Sequence, residues 1–352
     1  MIRSVELRSD TFTRPTPDMR QAMYEAEVGD DVWHEDPTVH RLEVRAAELT
    51  GKEAAVFVSS GTQGNLIGLL SHTQRGDEVI LGDQSHIFRY EAAGTAVCGG
   101  LQLHTLPNGK NGRLDPEMVH RAIRPNDEHE PRTGCIALEN THNRCGGAVL
   151  GVDEVAAVGA VAHSVGIPFH LDGARVFNAV AALGVPVSDL LAQVDSVTFC
   201  LSKGLGAPVG SLLCGSADFI AQARRWRKML GGGMRQAGVL AAAGLVALDY
   251  HRDRLVDDHA NARILAEGLA TIPGVTVINP TPDSNMVFFD ITATGRPLQE
   301  LAAQLAQQGV RVAGGGPGTF RAVTSLEVSR ADIEYALHAI AEVVRATAPA
   351  FA

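Results

Sequence analysis

The sequence predicts an α/β fold: a large domain built on a mostly parallel sheet, followed by a smaller C-terminal α/β domain. Two observations carry that expectation. Short, continuous apolar runs alternate with amphipathic helical patterns from residue 54 onward, as buried parallel strands and their crossover helices require. The 352 residues are 45% apolar, more chain than one domain of ~100–200 residues holds. The expected organisation is an irregular arm over 1–15, a large domain over 16–250 and a small domain over 251–352.

Taken in order, a short helix starts at Thr16-Pro17, with Thr16 as N-cap and Pro17 in the first turn. Asp36-Pro37 repeats the signal. Val39, Leu42, Ala46 and Leu49 follow at helical spacing, and Gly51 closes that helix. Ala54–Ser59 reads as a buried strand and Gly61–His72 as a helix. Glu78–Leu81, Gln102–Leu106 and Cys135–Glu139 read as strands. A helix with Val155, Val158, Ala162 and Val165 on one face comes next, then strands at Ile167–Leu171 and Ser196–Leu201. Ala217 to Leu269 is a long helical region broken at Gly231-Gly232-Gly233. Beyond it lie strands at Val275–Ile278, Met286–Asp290 and Phe320–Leu326 and a helix at Pro297–Gln307. A last helix, capped by Ser329, carries Ile333, Ala336, Leu337, Ile340 and Val344 on one face.

Composition excludes several classes. Thirty basic against forty acidic residues give a net charge of −10, the wrong sign for a nucleic-acid binder. No apolar run is long enough to span a membrane, and Met1–Glu6 opens no secretory leader, so a cytoplasmic protein is expected. Five cysteines, odd in number and without a C-x-x-C pair, are expected as free thiols.

Only four of the basic residues are lysines. Lys52 follows a helix end, Lys110 sits in a turn, and Lys228 lies in the basic helical stretch 224–228; each reads as a surface residue. Lys203 instead follows a buried strand and precedes a glycine-rich turn. Desolvation there favours a nucleophilic amine of the Schiff-base kind, with an ordinary edge-loop lysine as the plainer alternative. Asp172 ends another strand, where its carboxylate either holds a cofactor's ring N–H or caps a turn. Ser59–Asn65 joins a strand to a helix N-terminus, an anion site suited to phosphate but without the ending of a Walker loop. Phosphate cradle, then aspartate, then lysine is the chain order expected for pyridoxal 5'-phosphate in the aspartate-aminotransferase fold, with the ligand at the carboxyl ends of the strands.

The segments Leu7–Thr11, Gly29–Val32 with Asp36–Thr38, Ser60–Asn65, Ser85–Ile87, Leu138–Asn143, His170–Arg175, Cys200–Pro208, Gly231–Gln236 and Arg321–Thr324 together resemble the low-specificity L-threonine aldolases, in order and over nearly the whole chain. The resemblance implies that Lys203 forms the Schiff base and that Asp172 pairs with the pyridine nitrogen. It implies that Gly61 and Thr62 bind the phosphate, with Arg235 either joining them or packing nearby. His86 stacks on the ring, and Ser9, Arg175 and Arg321 hold the substrate carboxylate. His142 contacts the substrate hydroxyl, and either His86 or His142 is the base. The implied reaction cleaves β-hydroxy-α-amino acids to glycine and an aldehyde. A phenylserine aldolase or a β-eliminating lyase of the same fold is the alternative, and a non-catalytic cofactor binder is the reading from outside enzymes. The resemblance also implies a homotetramer, a dimer of dimers in which Val32–Asp36 reaches the neighbouring site; no metal-ligating residues are named. Trp33-His34 departs from the family's usual Tyr-Gly, which puts aldehyde size in question.

Overall fold

The computed structural model describes residues 4–345. Thirteen strands occur among them: β1 (Val5–Glu6), β2 (Ala54–Val58), β3 (Glu78–Gly82), β4 (Gln102–Leu106), β5 (Thr133–Glu139), β6 (Phe169–Asp172), β7 (Ser196–Cys200), β8 (Ser211–Gly215), β9 (Thr276–Val277), β10 (Met286–Asp290), β11 (Val310–Arg311), β12 (Ala313–Gly316) and β13 (Thr319–Val323). A seven-stranded sheet runs in the order β2-β8-β7-β6-β5-β3-β4. Strands β7, β6, β5, β3 and β4 are parallel to one another; β8 is antiparallel to both of its neighbours. Almost every residue of these strands except the edge strand β4 is buried, as expected of a sheet covered by helices on both faces.

Local chemistry sets the helix boundaries. Thr16 accepts from the Met19 N–H at 3.3 Å and Asp36 from the Thr38 and Val39 N–H groups at 3.1 and 2.9 Å. Gly51 ends the second helix at φ 68°, a left-handed conformation that suits glycine. Helix Gly61–His72 lies on the sheet along a stripe of small residues. A Cβ on Gly61, Gly64 or Gly68 would come within 2.8 Å of Cys200 Sγ, 2.5 Å of Thr198 Cγ2 and 2.9 Å of His170 Cε1. The three glycines let the helix backbone approach β6 and β7, so that its N-terminus stands beside the end of β7.

A second apolar cluster joins Val5 and Leu7 to Ala262, Leu265, Phe289, Phe320, Ile333 and Ile340. It lies under a four-stranded antiparallel sheet, β12-β13-β10-β9. The arm is therefore not irregular throughout: β1 pairs in parallel with β11, because Val5 and Leu7 gain burial there. The long helical region divides further than its glycines suggest, into Ala217–Met229, Gly238–Val246, a π turn at Ala247–His251, and Leu255–Leu269. Strand β8 was hidden in the sequence between Gly210 and a closing glycine, with only three apolar residues.

One surface expectation is corrected. Lys52 is half-buried and its ammonium donates to the Leu191 and Val194 carbonyls, with burial lowering its pKa. In the basic stretch, Arg227 turns inward to Asp31 at 2.9 Å and to the Phe57 carbonyl at 2.7 Å, and Arg224 pairs with Glu43; Lys228 stays exposed. All five cysteines are free thiols.

Candidate active site

Asp172 is the last residue of β6, and Glu139, its register partner, is the last of β5; both are buried. Lys203 lies three residues beyond β7, half-buried, with its carbonyl fixed by the Thr13 hydroxyl at 2.9 Å. The Gly61 end of helix Gly61–His72 faces this edge. Ser60 Oγ accepts the Gln63 N–H at 3.2 Å. Among the described residues, no acceptor is placed against the N–H groups of Gly61 and Thr62. They are the unsatisfied donors of a helix first turn, with the positive end of the helix dipole behind them.

Around Asp172 the side chains are closely interlocked. Asn65 donates from Nδ2 to Asp172 Oδ2 at 2.8 Å and to Glu91 Oε1 at 2.9 Å. Glu91 in turn holds His86 Nδ1 at 2.9 Å, while the His86 backbone N–H donates to Glu139 Oε2 at 2.6 Å. Ligand atoms of His86, Glu91 and Asp172 lie within 4.8 Å of one another. Burial opposes charge on His86, but the Glu91 hydrogen bond and the carboxylates of Asp172, Glu91 and Glu139 outweigh it and raise its pKa. Burial also raises the Glu91 pKa, against the hydrogen bonds from His86 and Asn65. Because Nδ1 faces Glu91, the ring's Nε2 is the nitrogen free for other work.

The second group gathers around Arg175 and Arg321. Arg175 is buried and bidentate to Asp10, Nε to Oδ2 at 2.7 Å and Nη2 to Oδ1 at 2.6 Å. Burial would raise the Asp10 pKa, yet Arg175, with Lys203 and Asn285 assisting, holds it at about 2. Ser9 caps the short turn that carries Asp10, accepting from the Thr11 N–H at 3.3 Å. Arg321, on β13, donates to Asn143 Oδ1 at 2.9 Å and to the Arg8 carbonyl at 3.1 Å. Its Nε is buried without a partner, and burial together with the Arg175 charge lowers its pKa. Among the described residues no carboxylate forms an ion pair with this guanidinium, a state suited to receiving an anion.

His142 is buried beside Glu139, Nε2 to Oε2 4.0 Å, and neither ring nitrogen has a hydrogen-bond partner. Arg235 stands apart from both groups, exposed and paired with Asp30 at 2.9 Å, although Gly232 of its loop packs against Gln63 in the cradle helix. Trp33 is 72% exposed, and His34 adopts φ 60°, a backbone conformation in which glycine is unstrained. A cavity of about 870 Å³ lies elsewhere, between His34 and helix Ala217–Met229, and holds none of the site residues named from the sequence.

Asp10, Asn65 and Glu91 were not singled out from sequence. Asp10 and Asn65 sit inside the quoted segments, so their position was the available signal. Glu91 carried none, since a glutamate after a short helix is ordinary.

The family model described as "Beta-eliminating lyase" matches residues 6–293. The low-specificity L-threonine aldolase 1 of Arabidopsis thaliana is 47% identical, over 96% of this chain and 95% of that protein. The low specificity L-threonine aldolase of Escherichia coli K12 is 45% identical, over 95% of this chain and 98% of that protein. The solved threonine aldolase of Leishmania major superposes with a TM-score of 0.82 at 21% identity, covering 96% of this chain and 99% of that one, a likeness of fold. This chain therefore belongs to the beta-eliminating lyase family, among its low-specificity L-threonine aldolases.

Proposed function

We propose that the protein binds pyridoxal 5'-phosphate at the carboxyl edge of the large sheet and cleaves L-threonine and L-allo-threonine to glycine and acetaldehyde. The observation that carries this reading is one sheet edge holding an unpartnered first-turn anion site, a buried aspartate, and Lys203 three residues beyond a buried strand. The donor set fits the cofactor. Gly61 and Thr62 N–H groups suit its phosphate, Asp172 its ring N–H, and the Lys203 amine its carbonyl carbon. When bound, pyridoxal phosphate supplies an electron-poor ring that accepts the electron pair of the breaking Cα–Cβ bond.

The chain's own residues do the rest. Arg321 offers its unpartnered Nε to the substrate carboxylate, with Ser9 and Arg175 beside it. A carboxylate held by a planar guanidinium fixes the orientation of Cα. Glu91 holds His86 by Nδ1, which leaves Nε2 to take the hydroxyl proton as the carbon–carbon bond breaks. In this reading His142, buried and with no hydrogen-bond partner on its ring, meets the substrate hydroxyl rather than exchanging protons with solvent. A proton returned to Cα completes glycine. In this reading the small domain, from 251 onward, supplies Arg321, and Trp33 with His34 shapes the space for the departing aldehyde. Exposed Tyr24, Trp33, Val97 and Met229 support assembly into a homotetramer, and the free thiols support a cytoplasmic location.

Product analysis tests the reading. Incubation with L-threonine and, separately, L-allo-threonine is expected to yield glycine and acetaldehyde. Formation of 2-oxobutyrate and ammonia would instead make the protein an eliminating lyase. Turnover of phenylserine alone would move the substrate to bulkier side chains.

A further inference from the structure

A line of hydrogen bonds leaves Asp172 and crosses beneath helix Gly61–His72 to the opposite edge of the sheet. Asn65 Oδ1 lies 3.2 Å from His170 Nε2, His170 Nδ1 lies 2.8 Å from Ser196 Oγ, and Ser196 Oγ lies 2.7 Å from His72 Nε2. Asn65, His170, Ser196 and Asp172 are all buried. His72 stacks on Phe219 with ring centroids 4.3 Å apart, and its outer side borders a cavity lined also by Arg124, Arg132 and Pro168.

The residue pattern builds this line. His170 and Asp172 share one face of β6 because they are two apart. Asn65 and His72 share one face of the helix because they are seven apart. Gly68 leaves room for the His170 ring between them, since a Cβ there would stand 2.9 Å from its Cε1.

Its direction follows from the carboxylate end. Asp172 and Glu91 as carboxylates only accept, so the Asn65 amide nitrogen donates to them and its oxygen accepts. His170 must then carry its proton on Nε2 and accept at Nδ1. Ser196 donates to that Nδ1, and therefore accepts from an Nε2–H on His72. Burial keeps both rings neutral, holding His170 at about 3 and His72 at about 4, against the opposing pull of Asp172 and Asp195 respectively. Every donor points toward Asp172, and hydrogen bonds aligned in one sense polarise one another.

We propose that His72, Ser196 and His170 are positioning residues which, through Asn65, fix Asp172 as an acceptor and set how tightly the cofactor's ring nitrogen is held. This rests on the reading of Asp172 under Proposed function, and the tests separate the two. In cofactor-stripped protein, ¹⁵N spectra of the histidine rings are expected to show His72 and His170 as neutral Nε2–H tautomers. A Nδ1–H or doubly protonated ring at either position at neutral pH overturns the relay, with no substitution needed. Equilibrium dialysis against graded pyridoxal phosphate gives the second test. Ser196→Ala and His72→Phe are each expected to weaken retention about fivefold, the weight of one polarised hydrogen bond. His72→Gln, whose amide N–H replaces Nε2–H, is expected to stay within about twofold of wild type. Wild-type retention by Ser196→Ala, or equal losses for His72→Gln and His72→Phe, overturns the relay. Wild-type protein that retains no pyridoxal phosphate overturns the site reading instead and leaves the ring spectra to decide the relay.

Discussion

Replacing Asp10 with asparagine removes the charge that holds Arg175 inside the protein. Both partners are buried, and the two hydrogen bonds between them are 2.6 and 2.7 Å. The pair holds the Asp10 carboxyl at about 2, against an ordinary value of 3.8. That difference corresponds to about 2 kcal/mol of folded-state stabilisation. The variant loses more than this, because a buried guanidinium is left unpaired; breaking such a pair costs about 3–5 kcal/mol. A chain of 352 residues unfolds with an entropy of about 0.7 kcal/mol/K. The expected fall in Tm at pH 7 is thus about 4–7 °C by scanning calorimetry. The pH dependence has a definite sign. With the folded pKa below the unfolded one, the stabilisation is complete above about pH 4 and is lost as the pH falls toward 2. Wild type should lose that contribution over this window, and Asp10→Asn should not show it. A Tm within about 1 °C of wild type at pH 7, or the same acid dependence in both proteins, would refute the reasoning.

Three further outcomes are expected. Arg321→Lys should raise KM for L-threonine about 10- to 100-fold with a smaller change in kcat, since a point charge replaces a planar fork; an unchanged KM would remove Arg321 from the carboxylate site. Glu91→Gln takes away the charge that helps raise the His86 pKa and leaves a weaker, uncharged acceptor for Nδ1–H, so the acid limb of the kcat/KM profile should move to lower pH. A limb that stays in place, or moves up, would show that His86 is not the base. Gly64→Ala drives a Cβ against Thr198 and should cost about 1–3 kcal/mol of stability, with cofactor retention falling in parallel. Thr198→Ala in the same chain should recover part of that loss in urea unfolding, and strictly additive effects would argue against the clash.

The elements legible from sequence were those with local causes. Helix Gly61–His72 was bounded as observed, because a serine N-cap and a glycine follow directly on a buried apolar run. Helix Pro37–Thr50 was framed by Asp36 and Gly51 for the same kind of reason. What escaped depends on distant partners. Strand β1 exists because β11, more than three hundred residues away, offers it a ladder, and β8 is a short return strand fixed by β2 and β7. The inward turn of Arg227 depends on Asp31 in a remote loop. At the site, the strand-end position of Asp172, the place of Lys203 in the turn after β7 and the helix-start position of Gly61 could be read from the chain. The pairing of Arg175 with Asp10 and of His86 with Glu91 could not, because no spacing brings such residues together. The π turn at Ala247–His251 has no sequence cause that we can name.

The central claim is that Lys203, and none of the other three lysines, carries the cofactor's carbonyl. Borohydride reduction of the purified holoenzyme, followed by peptide mapping, tests it most directly, because reduction makes the lysine–cofactor bond permanent. The account predicts a single pyridoxyl label, on the peptide bearing Lys203, and its absence from Lys203→Ala. A label on Lys52, Lys110 or Lys228, or a coloured protein whose cofactor is not retained after reduction, would contradict it.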